Sequence, residues 1–433
     1  MNPSSDHLVL NCRITGSFAA DAASVGGRRR RCGQNLRSAC RPWLMLMACV
    51  LLVARISDAE EQAVTENVQL RGDLNNCRIE FERNHQGHVA FLGGSITEMN
   101  GYRPMVMAWL EKRFPDVEFT FTNAGISSTC STTGAFRLAE DVLAKGPVDL
   151  LFVEYAVNDD QDAHHARREC IRGLEGVLRQ LWRHNPHADV VVTYFVNPEM
   201  LEQLQAGKEP LTMAAHGRVA EHYHVSTIHL AREVAQRIDA DRLTWQQYGG
   251  THPKPAGNAI AAQMIAQLFE QAWNAPLAKD GEKTTAKLPE PLDSGSYERG
   301  RYVDLHRARI KQGWRIHVPA WDTLKGSKRN RFTEVEMLCA TEPGAELTLE
   351  FDGAAVGAYL VAGPDAGILE ASIDGGEWKR IDLFHHYSAG LHYPRTVLLA
   401  SDLSPGRHTL VLRVSKETNS AGHAARILHL VAN

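Results

Sequence analysis

Between residues 88 and 230, five short runs of β-branched and aromatic residues alternate with longer stretches of helical periodicity, and few folds accommodate that rhythm. The runs are 88–92 (HVAFL), 117–122 (VEFTFT), 148–153 (VDLLFV), 190–195 (VVVTYF) and 225–230 (VSTIHL). Segments 103–114, 133–144 and 166–184 between them read as helices. In the last, Ile171, Leu174, Val177, Leu178 and Leu181 recur along one helical face. A further helix is expected at about 256–273. Strand and helix in repeated alternation predict a parallel sheet covered on both faces, a three-layer α/β/α domain. Ligands of such a sheet bind beyond the carboxyl ends of its strands.

The pattern changes twice more. Residues 274–300 are rich in Pro, Lys and Glu with little aliphatic content, which reads as a linker that can pack on the surface. From 301 to 433, alternating runs such as 345–351, 355–361, 368–373 and 408–414 are punctuated by Asp352-Gly353 and Asp374-Gly375. Alternation broken by Asp-Gly predicts antiparallel hairpins and a second, all-β sandwich domain. The expected organisation is a leader at 1–59, an α/β domain at 60–273, a linker at 274–300 and a sandwich at 301–433.

The leader is an apolar run at 42–54, preceded by Arg28 to Arg31, Arg37 and Arg41 and followed by Ser57-Asp58-Ala59. That is the layout of a secretory signal peptide cut near Ala59, so export to the periplasm or beyond is expected. An apolar run of 13 residues is shorter than the roughly 20 that span a bilayer, so no stable membrane insertion is expected after cleavage. The leader holds eight Arg and three Asp, a net of +5, so the mature chain moves from −4 to −9. With no basic stripe left, no nucleic-acid partner is expected. The mature cysteines are Cys77, Cys130, Cys170 and Cys339, enough for two disulfides with three possible connectivities. None shows the CxxC or His-Cys spacing of a metal site, and no metal is expected.

Four short blocks fall at the ends of these elements. The first strand runs into Gly93-Gly94-Ser95-Ile96-Thr97, the second ends in Asn123-Ala124-Gly125, and the third in Ala156-Val157-Asn158-Asp159. Gly250-Thr251-His252-Pro253 precedes the last helix. Singly these are ordinary features: a tight turn, a turn glycine, a helix cap, a loop histidine. In this order they resemble the SGNH hydrolase superfamily, the GDSL-type esterases and lipases, over roughly residues 89–273. The resemblance implies a flavodoxin-like, five-stranded parallel sheet and a serine esterase needing no cofactor. Ser95 would be the nucleophile and His252 its base, an imidazole being suited to both taking and returning a proton. The backbone N–H groups of Ser95 and Gly125 and the side-chain amide of Asn158 would form the oxyanion hole.

One position departs from the family. The Asp usually found three residues before the His is replaced by Gly249. Either a backbone carbonyl near 247–250 orients His252, giving a Ser-His dyad, or a carboxylate arrives from elsewhere. Glu98, Asp159, Asp160 and Glu199 are the candidates by position.

The remaining signals are less specific. His216 and His222 lie six residues apart in one helix and so on opposite faces, and with His224 and His229 they read as surface or packed histidines. His164-His165 begins a helix near Asn158 and could line the pocket. The resemblance suggests an O-acetylated polysaccharide as substrate. Trp314, Trp321 and Trp378 are then candidates either for sugar stacking or for core packing. Segment 382–396, with His385, His386 and His392, could reach over the Ser95 pocket or bind glycan. A lipase, thioesterase or acyltransferase on the same site, and a glycan-binding protein with a silent site, are the alternatives.

Overall fold

The inner runs become strands because they carry bulky side chains on both faces, as a strand buried between two helical layers must, while 117–122 alternates apolar and polar residues as suits an edge strand. The computed structural model describes residues 66–433, and the expected leader lies outside the described residues. The strands are β2 (Gln86–Gly93), β3 (Glu118–Gly125), β4 (Leu150–Glu154), β5 (Asp189–Thr193) and β6 (Ser226–Ile228). A sixth, β1 (Val68–Gln69), pairs antiparallel with β6 at one edge. The order is β1-β6-β5-β4-β2-β3, with β2 to β6 parallel. The sheet thus exceeds the expected five strands by one edge pairing only two residues long.

Helices Tyr102–Arg113 and Pro255–Ala272 pack together, as do Ser131–Asp141, Arg167–His184 and Leu211–His222. Leu174, Val177, Leu178 and Leu181 of Arg167–His184 are fully buried, as their spacing predicts. From β2 the chain steps outward to β3, then returns across β2 to form β4. That reversal opens a crevice at the carboxyl ends of β2 and β4. The register sets Gly93 of β2 between Gly125 of β3 and Glu154 of β4, so three motif ends lie side by side at the rim.

The C-terminal half consists of two antiparallel sheets. One runs β15 (Tyr393–Ala400), β12 (Val356–Ala362), β17 (Ala425–Ala432), β10 (Met337–Ala340) and β9 (Arg315–His317), with β7 (Arg301–Val303) also on β17. The other runs β14 (Lys379–Asp382), β13 (Ile368–Ile373), β16 (Arg407–Val414), β11 (Glu346–Asp352) and β8 (Arg309–Gln312). Leu347, Leu349 and Phe351 alternate inward from β11 to meet Leu360, Leu410, Leu412 and Ile427. Strand β12 is buried along its whole length. Its Ala358 and Leu360 face the sandwich core, while Tyr359 and Val361 join the apolar core of the α/β half. The same sheet therefore seals two cores.

Residues 274–300 form neither helix nor strand between the named elements, yet they are well fixed. Thr284 bonds the Asn76 side chain, Ala286 N–H donates to Pro186 O, and Pro289 O accepts from Arg179. Asp293 pairs with Arg168 and with the fully buried Arg172, and Tyr297 is itself wholly buried against Phe136. Cys77, Cys130, Cys170 and Cys339 are all buried free thiols. Among the described residues, no helix is long and apolar enough to cross a membrane.

Candidate active site

Strand β2 ends at Gly93, and Ser95 opens a single helical turn, Ser95–Glu98, at the sheet rim. As the first residue of that turn, Ser95 carries one of the N–H groups that a helix leaves without an internal acceptor. The turn is held from below by Glu154, the last residue of β4. Its Oε1 accepts from Gly94 N–H at 2.9 Å, Thr97 N–H at 3.1 Å and the Thr97 hydroxyl at 2.7 Å. Burial pushes the Glu154 carboxyl up to about 7, against the pull of those hydrogen bonds. A Cβ at position 93 would sit 2.4 Å from Glu154 Oε1 and from Thr97 Oγ1, which is why only glycine fits there. Glu154 was hidden in the sequence as the polar end of an apolar run.

His252 comes to the same rim from the opposite end of the α/β half. The turn Trp245–Tyr248 starts with a Thr244/Gln247 capping box and stops at Gly249, whose φ of 115° lies in the left-handed region. Lys254 N–H then bonds Tyr248 O, and the Asn258 amide bonds Pro253 O, bracing the loop on both sides of the imidazole. His252 Nε2 lies 2.7 Å from Ser95 Oγ. The imidazole is exposed and Ser95 half-buried, so the pair is open to an arriving substrate.

The missing acidic residue has a steric reason. A Cβ at Gly249 would meet Lys254 N at 2.1 Å, so the bracing hydrogen bond and an Asp side chain exclude each other. None of the candidate replacements bonds His252. Glu98 accepts from Ser127 N–H and its hydroxyl and pairs with Arg331. Asp159 is bound to Ser131 and His216, and Asp160 to Asn197. Glu199 is exposed in the first turn of helix Pro198–Gln205. Among the described residues, the Ser95 hydroxyl is the one hydrogen-bond partner of the His252 ring.

Of the oxyanion-hole candidates, Asn158 is buried, and its amide packs on the backbone of Gly94: a Cβ there would stand 2.1 Å from Asn158 Oδ1. One Nδ2 hydrogen goes to Asp162 Oδ2 at 2.6 Å, leaving the second. Gly125 is placed differently. Its N–H donates to Asn123 Oδ1 at 3.0 Å, and a Cβ would collide with Glu98 N at 2.3 Å. Glycine at 125 thus admits the Ser95–Glu98 turn, and its N–H reaches an oxyanion only by leaving Asn123.

The C-terminal half reaches this region. Arg329 donates to Ser127 O and Ser128 Oγ, and Tyr393 OH donates to Asp162 Oδ1 at 2.9 Å. In segment 382–396, His385 is buried and stacked on Tyr393, and His392 is buried with Nε2 on Lys325 O. His386 and Tyr387 stay exposed, with His164 6.3 Å from the His386 ring. Trp314 and Trp321 are core residues, while Trp378 is partly exposed with the Arg413 guanidinium over its ring. His216 is buried on Asp159, His222 bonds Glu290 O, His224 is exposed and His229 is buried near Thr227, so these four do not gather.

Residues 91–260 match the family model described as GDSL-like lipase/acylhydrolase. No curated protein matches the chain. Among solved structures, a two-domain esterase active on acetylated mannans, crystallised with mannopentaose, is 21% identical with a TM-score of 0.67, covering 85% of this chain and 97% of its own. A second structure described as a two-domain esterase active on acetylated mannans is 22% identical with the same TM-score, covering 85% and 98%. From residue 91 to residue 260 this chain is therefore a GDSL-like lipase/acylhydrolase domain, a domain of carboxylic ester hydrolases, followed by antiparallel β-sheets.

Proposed function

We propose that the protein is an exported serine esterase that removes O-acetyl groups from a polysaccharide. The observation that carries this reading is the 2.7 Å approach of His252 Nε2 to Ser95 Oγ. Ser95 Oγ attacks the acetyl carbonyl as His252 Nε2 takes its proton, and the tetrahedral oxyanion is held by Ser95 N–H and the free Asn158 N–H. Gly125 N–H joins them once it leaves Asn123. Collapse expels the sugar alkoxide, which receives the proton from His252, and leaves an acetyl-Ser95 ester. Water, deprotonated by His252, then releases acetate and restores the serine. No carboxylate assists, so the imidazole works as half of a dyad. The similarity to two structures of esterases active on acetylated mannans supports a polysaccharide substrate, as does a C-terminal half that reaches the rim through Arg329 and Tyr393.

The test is fluorophosphonate labelling followed by acetate release from acetylated mannan and xylan. Labelling of wild type and not of Ser95→Ala, with acetate release, supports the reading. A folded wild type that takes no label points instead to a glycan-binding protein with a silent site.

A further inference from the structure

Beside the Asn158 loop lies a second constellation that the hydrolytic reading does not use. Cys130 caps the helix Ser131–Asp141, Asp159 follows Asn158, and His165 precedes helix Arg167–His184. One donor atom from each lies within 4.8 Å of the others. Asp159 is fully buried, and it is fixed by Ser131 N–H at 2.7 Å, the Ser131 hydroxyl at 2.6 Å and His216 Nε2 at 2.9 Å. His165 Nδ1 stands 3.5 Å from Asp159 Oδ1, and it is buried without a hydrogen-bond partner.

That spacing is long for a hydrogen bond but natural for two ligands of one ion. Tetrahedral zinc with bonds of about 2.0–2.3 Å keeps its ligands roughly 3.3–3.8 Å apart. From this geometry we infer a zinc site formed by Cys130 Sγ, His165 Nδ1 and Asp159, built from side chains rather than announced by a spacing motif. A thiolate, an imidazole and a carboxylate together favour zinc over the hard cations. Ser131 and His216 supply the outer hydrogen bonds that orient the ligating carboxylate. Cys170 is buried beside the three, with its thiol 3.9 Å from the His165 carbonyl oxygen. The ion ties the start of one helix, the start of another and the Asn158 loop at a single point, which makes its role structural.

The test uses the full chain and does not depend on esterase activity. Protein purified without chelator is assayed for zinc by mass spectrometry, then stripped and titrated with cobalt(II). One equivalent of zinc is expected, with a thiolate-to-cobalt charge-transfer band and a rise in Tm of about 5 °C or more on zinc addition. Cys130→Ser is expected to lose the band and at least about tenfold in affinity, while Cys339→Ser keeps both. Should Cys130→Ser fail to fold, His165→Gln serves in its place. A folded, stripped wild type with neither cobalt band nor zinc-dependent Tm overturns the site. So does a native Cys130–Cys170 disulfide.

Discussion

Asp162 Oδ2 accepts the side-chain N–H of Asn158 at 2.6 Å, and that bond decides which way the amide faces. The other carboxylate oxygen accepts from Tyr393 of strand β15, so the orientation of the proposed oxyanion donor is set from the far half of the chain. Asn158→Ala is expected to lower kcat by about 10²–10³-fold. Asp162→Ala should cost about 10–100-fold, and Tyr393→Phe less, with KM changed only a few-fold in both. Steady-state kinetics on an acetyl ester separates the two parameters. A loss confined to KM would mean that Asp162 shapes substrate binding rather than the amide.

Restoring the family's usual acid should harm the enzyme. Gly249→Asp forces a side chain into a positive-φ position and against Lys254 N. The backbone strain alone costs about 1–3 kcal/mol. The variant is expected to melt lower and hydrolyse more slowly than wild type. A gain in kcat would show that the loop can re-form around a triad.

Glycine at position 94 is required by Asn158. In Gly94→Ala the new methyl meets Asn158 Oδ1 at 2.1 Å and must displace the amide. Activity should fall about as far as in Asn158→Ala, while far-ultraviolet circular dichroism stays native. Unchanged kinetics in that variant would remove Asn158 from the oxyanion hole.

Glu154 predicts an unusual pH dependence of stability. Its carboxyl titrates near 4.5 when unfolded and about 7 when folded, so between those values the folded state holds the extra proton. Stability from this group is full below about pH 4.5 and declines as pH rises through 7, by on the order of 3 kcal/mol. Glu154→Gln, which keeps an acceptor for Gly94 and Thr97, should flatten that decline. Thermal unfolding of both proteins from pH 4.5 to 8 tests it: parallel curves would mean that the buried carboxyl is ionised throughout.

What could be read from the sequence was set by local signals. Runs such as 148–153 and 190–195 are strands in any context that buries both faces, so β2 to β6 were legible. Strand β1 was not, because two residues carry no periodicity. Ser95 and His252 stood out by their flanking Gly and Pro and by chain order. Glu154 and Asp162 did not, since their importance lies in which N–H groups the folded backbone turns toward them. The same holds for Cys130 and His165, which lie 35 positions apart and come close only through the packing of two helix starts.

Residues 274–300 bear on how such a chain can be divided. A gene cut after residue 273 would remove both Asp293 and Asp402 from Arg172, stripping its guanidinium of cover and counter-charge together, and would empty the socket that Tyr297 fills. Neither half is a free-standing cassette. Any recombinant swap of the sandwich must leave the connecting segment on the α/β half, where it pairs with Arg172 and packs on Phe136.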